Sequence, residues 1–474
     1  MINRISIPLI LCLAFALSTS GCERYNRMPL SNAAIDRTLE SPMDADLHVE
    51  SNSIGHPLLP KITVDPSDGL TPDEAAILSV LINPTLRAER DQRNLADAQM
   101  IQAGLFPNPQ FTWSVDDPIG GMTEGTVKGT LWGLDWSLRE LATRRTRLSE
   151  AQSNRSSINT EVLWKEWQVS QAAKLAAYQQ VSLNQKAMTA EDNRNRLDDN
   201  LRRVTQAVES GFMTEQDLAA AETASSQAKS RYLELKKQAG NQRLKLNEAL
   251  GIPPDAGVRV QDDVELPYRL DPPTLNQVEL GLEDRRLDLV AFRKGYESQE
   301  AAVQQAILEQ FPNVSVGFNR AKDTGDVVTR GFGITFDIPI FDRNQGGIAT
   351  EKANRQILYD EYIQRIFEAR ATIAALIHNA TSLNEQIESV QEEIPRFRRL
   401  VDTYREAVDR GQADILNYYN AWNDLTDKKI ELIDLKQALA ETRIALEIAS
   451  GTAHLDEITD SPAKIWDQNG EVGS

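Results

Sequence analysis

The chain repeats itself, and the order of marks inside each copy constrains the fold more than any other feature. Phe106-Pro107-Asn108 returns as Phe311-Pro312-Asn313. Val208-Glu209-Ser210-Gly211 returns as Val408-Asp409-Arg410-Gly411, and Ala249-Leu250-Gly251 as Ala449-Ser450-Gly451. Gly211 to Gly251 and Gly411 to Gly451 are both 40 residues. Such a repeat is one supersecondary unit used twice, with neither copy expected to bury its apolar face alone. Each copy reads helix, two alternating strands, very long helix, glycine, shorter helix. The copies fall at 71–251 and 283–451, joined by a connector at 252–282 and followed by a tail at 452–474.

Within the first copy, Thr71-Pro72-Asp73-Glu74 is a helix start with a capping box and proline in the first turn, and the helix runs to about Gly104 with a kink at Asn83-Pro84. Phe111, Trp113 and Val115 then alternate with Thr112, Ser114 and Asp116, giving a strand at about 109–117. The return strand, about 126–138, places Trp132, Leu134, Trp136 and Leu138 opposite Gly133, Asp135 and Ser137. In the second copy the strands fall at about 313–320 and 330–340, the latter with Phe332, Ile334, Phe336, Ile338 and Ile340 on one face. A tilted strand of about 9–11 residues spans a bilayer. The same alternation suits a half-buried soluble sheet, and the pattern alone leaves both open.

No proline separates Pro118 from Pro253, so 139–210 reads as one helix of 72 residues, about 108 Å long. Ile158, Val162, Val169, Ala173 and Ala176 form a coiled-coil-like seam on it. The second long helix, about 346–410, carries Pro395, where a kink is expected. The helices 72–104 and 214–249 hold 33 and 36 residues; stacked end to end, they match the long one. Gly211 is expected to end the long helix left-handed, and Thr214 to cap the returning one, with Asp217 as an imperfect box partner.

Residues 1–21 combine a basic start with an apolar run from Ile5 to Leu17, which reads as a secretory signal. Ser20-Gly21-Cys22 resembles a lipobox, making Cys22 the acylated N-terminus of an extended linker at 22–70. The only other cysteine, Cys12, lies within the signal, which excludes intramolecular disulfides. A net charge of −19 argues against nucleic acid. The four histidines, His48, His56, His378 and His454, form no ligand spacing, and no phosphate loop or nucleophile motif is present, so neither a metal, a cofactor nor an enzymatic reaction is expected.

Four membrane strands cannot close a barrel alone, and open edges are not tolerated in lipid. Copies must therefore share one, and twelve strands from three chains leave an open interior where eight would not. Here Asn83-Pro84-Thr85-Leu86-Arg87-Ala88, the Phe-Pro-Asn pair, the segment Leu138–Arg147 and the glycine turns together resemble the TolC-like outer-membrane factors, and among them the lipoproteins of cation and drug efflux. The resemblance covers about Leu70 to Gly451. It implies a mainly α fold with a small β part: a homotrimer whose twelve-stranded outer-membrane barrel continues into a periplasmic α-helical barrel. It also implies an exit duct of a tripartite pump, passively conducting substrates from an inner-membrane transporter and a periplasmic adaptor. By this resemblance Ser210, Gly211 and Phe212, with Arg410, Gly411 and Gln412, meet the adaptor. Asn417 and Asn420 fall where many members place pore-constricting aspartates; Asp414 lies near, and Asp217 is the first-copy counterpart of Asn417. A periplasmic coiled-coil spacer without a pore is the competing reading, and it does not need strand faces that are uniformly apolar.

Overall fold

The computed structural model describes residues 23–39, 56–65, 67–453 and 455. The signal segment, Cys22, His48, His454 and residues 456–474 of the tail lie outside them. The chain divides into two units, residues 1–42 and 43–474. The described part of the first holds one short helix, α1 (Asn32–Leu39).

In the second unit, α2 (Pro72–Ile82) starts on the Thr71–Glu74 capping box. It ends completely at Asn83 rather than kinking, and α3 (Pro84–Gly104) begins anew. A residue before proline is pushed out of the α region. Asn83 takes extended angles, accepts from the Thr85 amide at 2.9 Å and donates to the Ala249 carbonyl at 3.0 Å. Strands β1 (Gln110–Asp116) and β2 (Gly129–Ser137) lead straight into α4 (Leu138–Glu209), 72 residues without a break. Beyond the turn at Gly211, α5 (Glu215–Leu250) returns antiparallel.

The connector carries two short helices, α6 (Leu275–Glu279) and α7 (Leu282–Arg285). The series then recurs as α8 (Leu287–Leu308), β3 (Val314–Lys322), β4 (Val328–Phe336), α9 (Gln345–Asp409) and α10 (Ile415–Ser450). Ile338 and Ile340, expected in β4, follow its end, because Pro339 cannot donate to a ladder. Pro395 sits inside α9, which continues through it.

Stacking along the long helix takes a different form from the length match. Gly251, at φ +78°, presses against the start of α3: a Cβ there would lie 2.6 Å from Asn83 Cα. So α5 abuts α3, while α2 packs beside the end of α5 rather than in line with it. The second copy does the same, since a Cβ on Gly451 (φ +70°) would lie 2.8 Å from Cα of Arg286, the N-cap of α8. This explains the third repeated mark. Both glycines need a left-handed backbone and leave no room for a side chain.

The first core gathers Trp164 and Trp167 of α4 with Leu78 of α2 and Leu246 and Leu250 of α5. Residues 56–65 and 67–70, part of the expected extended linker, join it through Leu58, Leu59, Val64 and Leu70. His56 fastens that strap: its Nε2 lies 2.9 Å from the Leu163 carbonyl, and burial lowers its pKa. A second core joins Leu282, Leu289, Ile373 and Leu446.

Polar pairs tie α4 to α10, with Gln179 donating to Glu441 at 2.9 Å and Lys174 reaching Glu447 at 3.5 Å. Lys174 also meets Asp73 at 2.9 Å. Burial opposes the ammonium, but Glu447 and Asp73 hold its pKa above the ordinary value. Among the described residues no helix is long and apolar enough to cross a membrane, which says nothing about the strands.

Candidate functional site

The two glycine turns share one backbone. In the first, the Gly211 amide donates to the Val208 carbonyl at 2.9 Å and the Phe212 amide to the Ala207 carbonyl at 2.8 Å. In the second, Gly411 donates to Val408 at 2.9 Å and Gln412 to Ala407 at 2.8 Å. Both are Schellman ends, built on φ +75° at Gly211 and +67° at Gly411. Side chains there are free to differ: Phe212 is 86 % exposed, whereas Arg410 pairs with Glu406 at 3.3 Å.

Just past the turns, capping consumes part of the expected polar set. Asp217 completes a full capping box, its Oδ2 accepting from the Thr214 amide at 2.9 Å and hydroxyl at 2.7 Å. Asp414 caps α10 by accepting from the Leu416 amide at 2.9 Å. Asn417 and Asn420 are exposed on one face of α10, which continues through exposed Asp424.

Packing brings the two turns together. Val208 and Met213 of the first and Val408 of the second lie against one cluster containing Leu197, Val204, Ile415 and Tyr419. Behind it, Tyr418 stands 5.7 Å from Tyr419 and 6.4 Å from Trp422, and Arg196 covers the Trp422 ring at 5.1 Å. The Tyr419 hydroxyl donates to Asn200 of α4, and burial pushes its phenol pKa up, with Tyr418 and Asp217 adding to the effect. Sequence reasoning missed this aromatic belt, although Tyr418-Tyr419 and Trp422 stand one and two turns beyond the Asp414 cap.

At the other end of the helices, the strands form one antiparallel sheet in the order β1-β2-β3-β4. The register sorts side chains into rows. Phe111, Leu134, Phe318 and Phe332 make one row, with Trp136, Val316 and Ile334 next to it. These residues stay open: Phe111 is 62 %, Phe332 71 % and Ile334 59 % exposed. The opposite face is small and polar, with Asp135 lying over Gly317 and Asn319 over Gly331, where any added Cβ would collide with them. Toward the loops the same face carries the row Trp113, Trp132, Arg320 and Arg330, and beyond it a last row of Val115, Thr130, Lys322 and Val328. Strands β1 and β4 are free edges.

Residues 282–452 match the family model described as outer membrane efflux protein. No curated protein matches the chain by sequence search. Among solved structures, the fold resembles the outer membrane protein VceC from Vibrio cholerae (15 % identity, TM-score 0.68, 81 % of this chain and 97 % of that one). It also resembles the CmeC outer membrane channel of Campylobacter jejuni (14 % identity, TM-score 0.68, 91 % and 94 %) and CusC (18 % identity, TM-score 0.66, 84 % and 96 %).

Proposed function

We propose that this chain, a TolC-like outer-membrane factor by its fold and by the efflux-family match of its second half, is the outer-membrane exit duct of a tripartite efflux pump. The observation that carries the reading is the sheet: an aromatic face left open, a small polar face behind it, and two unpaired edges. In water, exposed edges and an apolar face invite aggregation. In lipid, the same face is the stable one once copies pair edge to edge. Three copies give twelve strands with the polar face inward, and their helices continue the wall as a periplasmic α-helical barrel.

The apolar band has a fitting height. Over Val314–Lys322 strand β3 advances about 26 Å, or roughly 20 Å after a tilt near 40°, near the band of bacterial barrels. Along α9, Tyr359, Ile363 and Phe367 are 51 %, 50 % and 72 % exposed and recur at every fourth residue. A neighbouring copy would cover that stripe.

In this reading the turns around Gly211 and Gly411 meet the periplasmic adaptor, and Asp217, Asp414, Asn417 and Asn420 border the narrow end of the duct. Conduction is passive, and cations or drugs supplied by an inner-membrane transporter are the substrate classes. Acylation of Cys22 adds a lipid anchor to the barrel. A pore-less periplasmic spacer leaves the aromatic sheet face without a role.

Planar-bilayer conductance of the purified protein, measured with its oligomeric mass in detergent, tests the proposal. Discrete channels from a trimer are expected. A water-soluble monomer without conductance would overturn it.

A further inference from the structure

We infer that the row of the sheet next to its loop end, centred on Arg320 and Arg330 with Lys322 one step beyond on the same face, binds the phosphate of anionic lipid headgroups. The inference rests on the membrane-spanning reading of the sheet. Arg320 and Arg330 are direct cross-strand partners, so they share one face at adjacent positions. Like charges so placed destabilise a sheet unless something lies between them.

Among the described residues, no carboxylate forms an ion pair with either arginine. Of the loop acids, Asp117 pairs with Lys128 at 2.6 Å, Asp326 with Lys322 at 2.5 Å, and Asp323 accepts from the Gly325 and Val327 amides. The strand carboxylates Asp116 and Asp135 are on the opposite face, set by the pleat.

Position in the row identifies the ligand. Trp132 is the register partner of Arg320, and Trp113 that of Trp132, so two tryptophans and two arginines form one cross-strand row near the loop end. Below them the face is apolar, from Phe318 and Phe332 to Val314 and Phe336. Tryptophan at the border of an apolar band marks the membrane–water interface. Two guanidiniums beside those tryptophans reach headgroups rather than acyl chains, and their planar forks suit phosphate oxygens. A chain of net charge −19 has placed cations here, against its overall bias.

The test uses the full chain reconstituted in vesicles of phosphatidylcholine alone or mixed with phosphatidylglycerol. Retained lipid is counted by native mass spectrometry, and thermal unfolding is followed in each vesicle. The native protein should retain phosphatidylglycerol preferentially and melt later in the mixture; Arg320→Gln with Arg330→Gln should weaken that preference about tenfold. Arg320→Lys with Arg330→Lys should keep part of it. Inorganic phosphate added to phosphatidylcholine vesicles should not reproduce the shift, and if it does, the site binds free anion and the lipid assignment fails.

Equal retention by the native protein and the glutamine variant would overturn the inference. So would an equal loss of stability in both vesicles, because the arginines would then be serving a carboxylate of a neighbouring copy. Quenching of tryptophan fluorescence by brominated acyl chains separates the two levels. Quenching without anionic preference defeats only the headgroup site, whereas its absence defeats the membrane-spanning reading itself.

Discussion

The long helices α4 and α9 occupy the same place in the two copies and live in opposite surroundings. Nineteen residues of α4 are buried, against seven of α9, although the helices run to 72 and 65 residues. The difference follows from the sheet. Strand β2 is internal in the order β1-β2-β3-β4, so α4 leaves from the middle and meets α3, α5, α8 and α10. Strand β4 is an edge, so α9 leaves at the border with α8 and α10 as its main neighbours. Sequence similarity thus gave two like elements, and topology assigned one to the interior of the single copy and the other to its boundary. The exposed Tyr359-Ile363-Phe367 stripe is the expected result of a boundary helix in an assembly.

The largest effect should come from charging that boundary. Ile363→Asp with Phe367→Asp leaves the core of one copy intact, and the proposed oligomer should be lost, with the protein mass in detergent falling to that of a single chain. A persistent oligomer would show that the stripe is a solvated face and that the α4–α9 contrast carries no assembly information. Trp167→Ala probes the interior helix instead. The side chain is 1 % exposed, and its loss should cost about 3–5 kcal/mol, read as a lower midpoint in denaturant. An unchanged midpoint would mean that α4 does not organise the core.

Glycines sharpen the contrast at a smaller scale. Gly251→Ala must force a left-handed backbone and push Asn83 aside, for a combined cost of about 2–4 kcal/mol. Gly211→Ala meets open space and should cost about 1 kcal/mol, the backbone part alone. Equal losses in thermal unfolding would remove the distinction between a stacking glycine and a turn glycine.

Much of this was legible in the residues. The Thr71 and Thr214 caps, the ends of α4, the left-handed glycines and the strand alternation all follow from contacts within a few positions of one another. The seam was readable too: Val162, Ala173 and Ala176 are buried. The misplaced features involve distant partners or proline. The break at Asn83 is full because Ala249 takes its side-chain amide across 166 residues, and α2 leaves the stack. The segments 56–65 and 67–70 pack because a groove between α2, α4 and the connector exists only after folding. Tyr419 and Asn200 are 219 positions apart, which no local pattern reveals.

By itself, then, the sequence determined the periodic parts: which stretches are helix or strand, where threonine caps and left-handed glycines bound a helix, and which face of each strand is apolar. These depend on short-range sterics and on residue spacing. Only the tertiary structure decided that both turns share one hydrophobic cluster, that α4 is interior and α9 peripheral, and that Trp113, Trp132, Arg320 and Arg330 form one row. Those outcomes depend on strand order and register, which are set by long-range pairing and cannot be read from any single segment.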